Sequence, residues 1–145
     1  MREDVVIAAR QWLGTPYVHQ QSAFQVGCDC LGLLRGVWRE LYGAEPEAVP
    51  AYTRDWSEPQ GDEALWAAAA RHLQAKPVDE IARGDVILFR MRAGSVAKHL
   101  GIQARIGSVP SFVHAYSGHG VVESNLTRPW ARRIVARFEF PQETV

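Results

Sequence analysis

The sequence lacks the features that mark several large classes of protein. It has no apolar run of about 18 residues, the length that a membrane-spanning helix needs, and no apolar segment near its start typical of a signal peptide. Its 16 basic and 16 acidic residues cancel, so the composition does not favour nonspecific binding to nucleic acid. We therefore expect neither membrane insertion nor a nucleic-acid partner.

Cysteine is also scarce. Cys28 and Cys30 are the two cysteines of the chain, and residues this close rarely reach disulfide geometry, so two free thiols are expected. With 145 residues, 47% of them hydrophobic, the chain can bury a core without crosslinks. We predict a single domain over residues 1–145, in which the proline-rich and acidic stretch 44–61 is a surface insertion.

Helical periodicity dominates the first half of the chain. It predicts helices over residues 4–13, from near Cys30 to Gly43, and over about 62–75. Asp4 is the expected N-cap of the first helix, and residues 18–27 show no period and are expected to form a loop. The apolar faces of the first two helices comprise Val5, Ala9, Trp12 and Leu13, and Leu34, Val37, Trp38 and Leu41.

Strand patterns dominate the second half. The expected strands are 85–89, 99–106, 112–116, 120–123 and 134–140, and the third and fourth form a hairpin around Ser117-Gly118-His119. In the second of them, His99, Gly101, Gln103 and Arg105 occupy a polar face. Helices followed by strands predict an α+β fold, with the N-terminal helices packed on an antiparallel β-sheet.

Cys30 is the residue most suited to covalent chemistry. It lies where a loop meets an amphipathic helix, and the partial positive charge of a helix N-terminus lowers a thiol pKa. A thiolate is a nucleophile, and Gly32 would keep the first helical turn narrow enough for a substrate backbone to approach. From the residues alone, a small buried structural cysteine is the competing interpretation.

A cysteine nucleophile needs a base, which is most often histidine. His99 begins a strand, and His114 lies within the next one, where it could fix the tautomer of His99 as the third member of a triad. Each could instead be a structural histidine. The remaining histidines, His19, His72 and His119, are expected at the surface.

Five motifs in a set order carry a family resemblance. The segments Gly14-Thr15-Pro16-Tyr17, Asp29-Cys30-x-Gly32-Leu33, Gly84 to Phe89, His99-Leu100-Gly101-Ile102, and Phe112 to Ala115 with Gly120-Val121-Val122 resemble the NlpC-type cell-wall peptidases. These are cysteine peptidases with a circularly permuted papain-like fold. The resemblance covers about residues 5–125, and is strongest to the single-domain members found in phage tails and gene transfer agents.

The resemblance implies a role for each matching residue. Cys30 is the nucleophile, His99 the base, and His114 the residue that orients it. Tyr17 would help to bind the oxyanion or the substrate, and Asp29 would contribute to substrate recognition. No cofactor is implied. Two features depart from the family: Leu31 replaces the usual serine, and the stretch 44–61 lengthens the spacing between nucleophile and base.

The resemblance also implies an activity and a setting. The enzyme would be an endopeptidase that hydrolyses the D-γ-glutamyl–diamino acid bond in the stem peptide of peptidoglycan. We expect it to be made in the cytoplasm without a signal peptide and to act within a phage-like tail. Since no cell-wall targeting domain is evident, other tail or baseplate proteins are the expected partners. The stretch 44–61 and the strand 132–139 are the candidate docking surfaces.

Three other functions remain open from the sequence. Cys28, Cys30, His99 and His114 could bind zinc, although Cys-x-Cys is tighter than the usual spacing of zinc ligands. The domain could also be a catalytically silent structural module of a tail. Finally, the same thiol chemistry could transfer acyl groups instead of hydrolysing a peptide bond.

Overall fold

The computed structural model describes residues 1–47 and 63–142. Its helices are α1 (Glu3–Arg10), α2 (Cys30–Tyr42), α3 (Ala64–His72) and the single turn α4 (Arg128–Ala131). Its strands are β1 (Ser22–Ala23), β2 (Gly27–Cys28), β3 (Gln74–Lys76), β4 (Val86–Phe89), β5 (His99–Arg105), β6 (Ser111–Tyr116), β7 (Gly120–Asn125) and β8 (Ile134–Glu139). None of the described helices combines the length and apolar character needed to cross a membrane.

An antiparallel sheet organises the second half of the chain. In the described residues it has six strands in the order β3-β8-β4-β5-β6-β7, and β1 pairs separately with β2. The sheet buries one face against α1 and α2, and β6 and β7 form the predicted hairpin. The predicted α+β fold, with helices packed on an antiparallel sheet, is therefore confirmed.

The two N-terminal helices pack closely because small residues let them approach. A side chain at Gly36 of α2 would collide with the indole of Trp12, which follows α1. The α1 residues Val5 and Ala9 are buried as predicted, whereas Leu13 is 42% exposed. Leu13 faces solvent because the regular helix ends at Arg10, before the turn that carries it.

The start of α1 differs from the prediction. Arg2 occupies the N-cap position, and Asp4 lies inside the first turn. The Asp4 carboxylate accepts hydrogen bonds from the Arg2 guanidinium. The prediction that Asp4 is the N-cap is therefore wrong, although an acidic residue in the first turn still favours the helix dipole.

The third helix is shorter than predicted. It ends at His72, and residues 74–76 form β3, which pairs with β8. The predicted start of this helix at Asp62, and most of the predicted insertion 44–61, lie outside the described residues. The part that is described is held against α2, because Glu45 forms ion pairs with Arg35 and Arg39.

Most of the polar face predicted for β5 is buried, and only Arg105 at the end of the strand is exposed. Gln103 is fully buried, and its amide oxygen accepts a 3.0 Å hydrogen bond from Arg137 of β8. The same guanidinium donates to Asp85 and to the carbonyl of Val78. These partners satisfy a charge that would otherwise be costly to bury. Arg137 is therefore not available for docking, which removes one residue of the proposed surface 132–139.

Candidate active site

The helix that carries Cys30 begins at a well-formed cap. Asp29 is the N-cap of α2, and its carboxylate accepts hydrogen bonds from the backbone N–H groups of Gly32, at 2.8 Å, and Gln20, at 2.7 Å. The Asp29 side chain is 3% exposed. Its observed contacts join α2 to the preceding loop. Direct recognition of a substrate by this carboxylate stays a prediction.

The loop before α2 is more ordered than predicted. Residues 18–27 contain β1 and the start of β2, which pair with each other. Gly32 lies directly against the backbone carbonyl of Gln21, where any side chain would collide. The narrow first turn of α2 therefore accommodates this loop, and not a substrate backbone as predicted.

The thiol of Cys30 lies against the backbone at the start of β5. It donates a hydrogen bond to the carbonyl of Lys98, with sulfur and oxygen 3.8 Å apart, and the backbone N–H of Leu100 lies close enough to lower the pKa of the thiol. Lys98 and Leu100 flank His99. The structure thus brings the predicted nucleophile to the segment that carries the predicted base, although the two are 69 residues apart in the sequence.

The two predicted histidines are in direct contact. Nε2 of His99 lies 2.8 Å from Nδ1 of His114, and Nε2 of His114 lies 2.9 Å from the hydroxyl of Ser124 on β7. Both histidines are buried. Nδ1 of His99 has no hydrogen-bond partner within residues 1–47 and 63–142, so this nitrogen is the one available to accept a proton.

Aromatic rings enclose the histidine pair. The indole of Trp130, from α4, packs against both imidazoles: its ring centroid is 5.7 Å from that of His99, which it faces at a tilt, and 5.2 Å from that of His114, which it meets edge-on. Phe112 stacks on His114 at 4.1 Å. Sequence analysis missed Trp130 and Ser124. Both follow the last family motif, and no pattern of spacing connects either of them with His99.

This enclosure keeps both histidines neutral. Burial, and next the neighbouring His114, lower the pKa of His99 from 6.5 to about 3. Burial, and next His119, lower the pKa of His114 from 6.5 to about 4. Desolvation disfavours the charged imidazolium, which explains both directions. At neutral pH the pair is therefore uncharged, and His99 can act as a base.

The predicted lowering of the Cys30 pKa is wrong. Burial, and next the adjacent Asp29 carboxylate, raise the pKa of the Cys30 thiol to about 12. The N–H groups of Leu100, Leu31 and Cys30 itself act in the opposite direction, as a helix start should, but they are the weaker effect. The resting site is a neutral thiol beside neutral imidazoles.

Tyr17 is positioned beside Cys28, two residues from Cys30. Its backbone forms a parallel bridge with Cys28, because Cys28 N–H donates to the Pro16 carbonyl and Val18 N–H donates to the Cys28 carbonyl. The Tyr17 side chain is half-buried and packs against the main core. These bonds fix Tyr17 near the start of α2, and its role at the oxyanion stays a prediction.

The second cysteine differs from Cys30 in exposure. Cys28 is fully buried and Cys30 is half-buried, and both are free thiols, as predicted. Burial raises the pKa of the Cys28 thiol to about 12, as it does for Cys30. In the described parts of the chain, no group of three or more histidine, cysteine or acidic side chains is arranged to hold a metal ion.

This difference predicts the order of chemical labelling. Iodoacetamide is expected to modify Cys30 before Cys28, because only Cys30 is accessible to the reagent, and modification should abolish activity in parallel. Since both pKa values are raised, the reaction should be slow at neutral pH and should accelerate on the alkaline side. Peptide mapping after limited alkylation measures the order. Prior labelling of Cys28 would contradict it.

Comparisons with known proteins place this chain in a family. Residues 14–138 match the NlpC/P60 family, and the chain belongs to it. Members of this family are generally cysteine peptidases that hydrolyse peptidoglycan. The class predicted from the five motifs is thereby confirmed, whereas the phage-tail subtype stays a prediction. No curated protein matches the chain.

Solved structures agree on the fold. The NlpC/p60 domain of the peptidoglycan hydrolase SagA is 20% identical, with a TM-score of 0.65, and the alignment covers 97% of this chain and 99% of that one. An NlpC/P60 family protein from Bacillus cereus ATCC 10987 is 19% identical, with a TM-score of 0.66, and the alignment covers 97% of this chain and 40% of that one.

A third structure is a lipoprotein-like protein of the same family from Staphylococcus aureus subsp. aureus Mu50. It is 20% identical, with a TM-score of 0.64, and the alignment covers 99% of this chain and 43% of that one. The chain thus spans less than half of the Staphylococcus and Bacillus proteins but nearly all of the SagA domain. At these identities the likeness shows the fold, and the circular permutation stays a prediction.

Proposed function

We propose that this protein is a cysteine endopeptidase that cleaves the stem peptide of bacterial peptidoglycan. The observation that carries the proposal is that His99 and His114 are hydrogen-bonded to each other, while the Cys30 thiol contacts the residue just before His99. One imidazole nitrogen of His99 is held by His114, and the other is left for a proton transfer. That is the arrangement that a cysteine nucleophile requires.

The first half of the reaction forms an acyl-enzyme. Because the resting thiol is neutral, Nδ1 of His99 takes its proton as the sulfur attacks the scissile carbonyl carbon. The resulting oxyanion accepts hydrogen bonds from the backbone N–H of Cys30 and the hydroxyl of Tyr17. The C–N bond then breaks, His99 returns the proton to the leaving amine, and a thioester remains on Cys30.

The second half of the reaction hydrolyses the thioester. His99 Nδ1 takes a proton from water, whose oxygen attacks the thioester carbonyl. The C–S bond breaks, the carboxylic acid leaves, and the proton returns to the Cys30 sulfur. His114 keeps the His99 ring oriented through both halves. Burial by Trp130 strengthens each of these electrostatic interactions, because it excludes water from the histidine pair.

The bond we propose is the one between D-γ-glutamate and the diamino acid. The five motifs and the NlpC/P60 family support it. Leu31, in place of the family serine, lines an apolar groove between α2 and α3 together with Leu34, Trp38 and Leu65. A side chain that cannot donate a hydrogen bond at this position favours apolar contact with the peptide next to the cleaved bond.

The experiment that tests the activity is mass analysis of a peptidoglycan digest. Wild-type protein is expected to release fragments with a new amino terminus on the diamino acid, and Cys30→Ala none. Adding an amine acceptor separates hydrolysis from acyl transfer, since a transferase would give the amide of that acceptor. An intact sacculus after prolonged digestion with folded wild-type protein would contradict the proposal and favour the silent structural module.

We further propose that the enzyme works within a phage-like tail, docked to other tail or baseplate proteins. This rests on the resemblance to single-domain tail peptidases. Of the strand 132–139, Arg132 is exposed, Arg133 is half-buried and Arg137 is buried, so the first two are the candidates for docking. Pull-down from particle-producing cells with wild type and Arg132→Glu/Arg133→Glu tests it. Equal recovery of tail proteins by both would exclude this surface.

A further inference from the structure

The histidine pair is hydrogen-bonded to a third residue, which lies outside the five sequence motifs. Ser124 lies on β7, and its hydroxyl is 2.9 Å from Nε2 of His114. In the register of the hairpin, His114 pairs with Val122 and Phe112 pairs with Ser124. Ser124 is therefore a diagonal neighbour of His114 on the same face of the sheet, within reach of its ring.

The direction of the hydrogen bonds along this chain decides whether His99 can be a base. A neutral imidazole carries one N–H, so an unprotonated Nδ1 of His99 requires a proton on its Nε2. That N–H donates to Nδ1 of His114, which must therefore be unprotonated. The proton of His114 then lies on its Nε2, facing Ser124. The opposite direction would place a proton on His99 Nδ1 and block the reaction.

We propose that Ser124 is a positioning residue: its hydroxyl accepts the hydrogen bond from Nε2–H of His114 and so stabilises the tautomer of that ring whose Nδ1 can accept from His99. The direction of these hydrogen bonds rests on the proposed function, which needs an unprotonated Nδ1 on His99, whereas the tautomers can be measured without any assay of activity. Two observations support the assignment. His114 is fully buried and stacked under Phe112 at 4.1 Å, so its ring has few alternative partners. Both imidazoles are neutral, so each ring carries a single proton that can lie on either of its nitrogens.

The direct test is nitrogen NMR of histidine-labelled protein. In the wild type, two-bond proton–nitrogen correlations are expected to show His114 protonated at Nε2 and unprotonated at Nδ1, and His99 in the same form. Ser124→Ala is expected to give a mixture of tautomers at His114. Ser124→Thr should restore the wild-type form, because it keeps a hydroxyl on a strand that tolerates β-branched residues.

Kinetics with a stem-peptide substrate provide the second readout. Ser124→Ala is expected to lower kcat about three- to tenfold, the worth of one neutral hydrogen bond, with KM unchanged. Ser124→Thr should recover the wild-type rate. The matched control is Ser117→Ala, at the exposed turn of the same hairpin, which should leave both the rate and the tautomers unchanged.

Each outcome bears on one proposal or the other. A wild-type His114 protonated at Nδ1, or a Ser124→Ala variant with wild-type tautomers, would overturn the role of Ser124. The wild-type spectrum decides this even if Ser124→Ala fails to fold. An inactive wild type whose His114 tautomer depends on Ser124 would instead overturn the proposed hydrolase and leave the tautomer assignment standing.

Discussion

Cys30→Ala and His99→Ala are each expected to reduce hydrolysis of the stem peptide more than about a thousandfold, because nucleophile and base act as one unit. Neither change should unfold the domain. Cys30 is half-buried, so removing its sulfur leaves little empty volume. His99 is buried, but its replacement leaves the strand pairing of β5 with β4 and β6 intact.

Two control variants make this prediction specific. Cys28→Ala removes the neighbouring thiol, which is more deeply buried, and should keep near wild-type turnover. His72→Ala removes a histidine at the end of α3, whose imidazole contacts Glu47 instead of Cys30 or His99, and should do the same. Turnover and circular dichroism are measured on the same preparations. A folded Cys30→Ala protein with wild-type turnover would refute the assignment of the nucleophile.

Acidification is expected to destabilise the fold well above the pH at which carboxylates titrate. The pKa values of His99 and His114 are lowered in the folded state to about 3 and about 4, from 6.5. Above about pH 6.5 both states are unprotonated and this contribution is constant. As the pH falls below that value, His99 and His114 bind protons in the unfolded chain but stay unprotonated in the folded one. Stability therefore falls by about 1.4 kcal/mol per pH unit for each histidine.

Urea unfolding at pH 7, 6 and 5 measures this slope. Between pH 7 and pH 5 the histidines dominate this slope. A carboxylate such as Glu123 titrates below the window, because its pKa is lowered from an ordinary value of 4.5. His99→Gln/His114→Gln should flatten the dependence, so that the stability lost relative to wild type is larger at pH 7 than at pH 5. A wild-type free energy of unfolding that is the same at pH 7 and pH 5 would contradict the burial of the pair in solution.

The features that could be predicted from the sequence are set by residues close together in the chain. The extent of α2 follows from its apolar stripe and from Gly43, whose positive φ of 88° suits a residue without a side chain. The β6–β7 hairpin follows from two strand patterns around Ser117-Gly118-His119. The order of five short motifs identifies the peptidase family, and the resemblance points to Cys30, His99 and His114 as its site residues.

The features that could not be predicted depend on what covers a face of the sheet. Periodicity shows that β5 has two faces, but only the tertiary structure places Trp130 over His99 and Arg137 beside Gln103. The same applies to the Cys30 thiol: local sequence predicts a helix start that lowers its pKa, and the stronger effect of burial raises it. Local rules determine caps, turns and motifs. Desolvation and the partners of buried groups are decided by residues distant in sequence, so only the folded chain determines the protonation of this site.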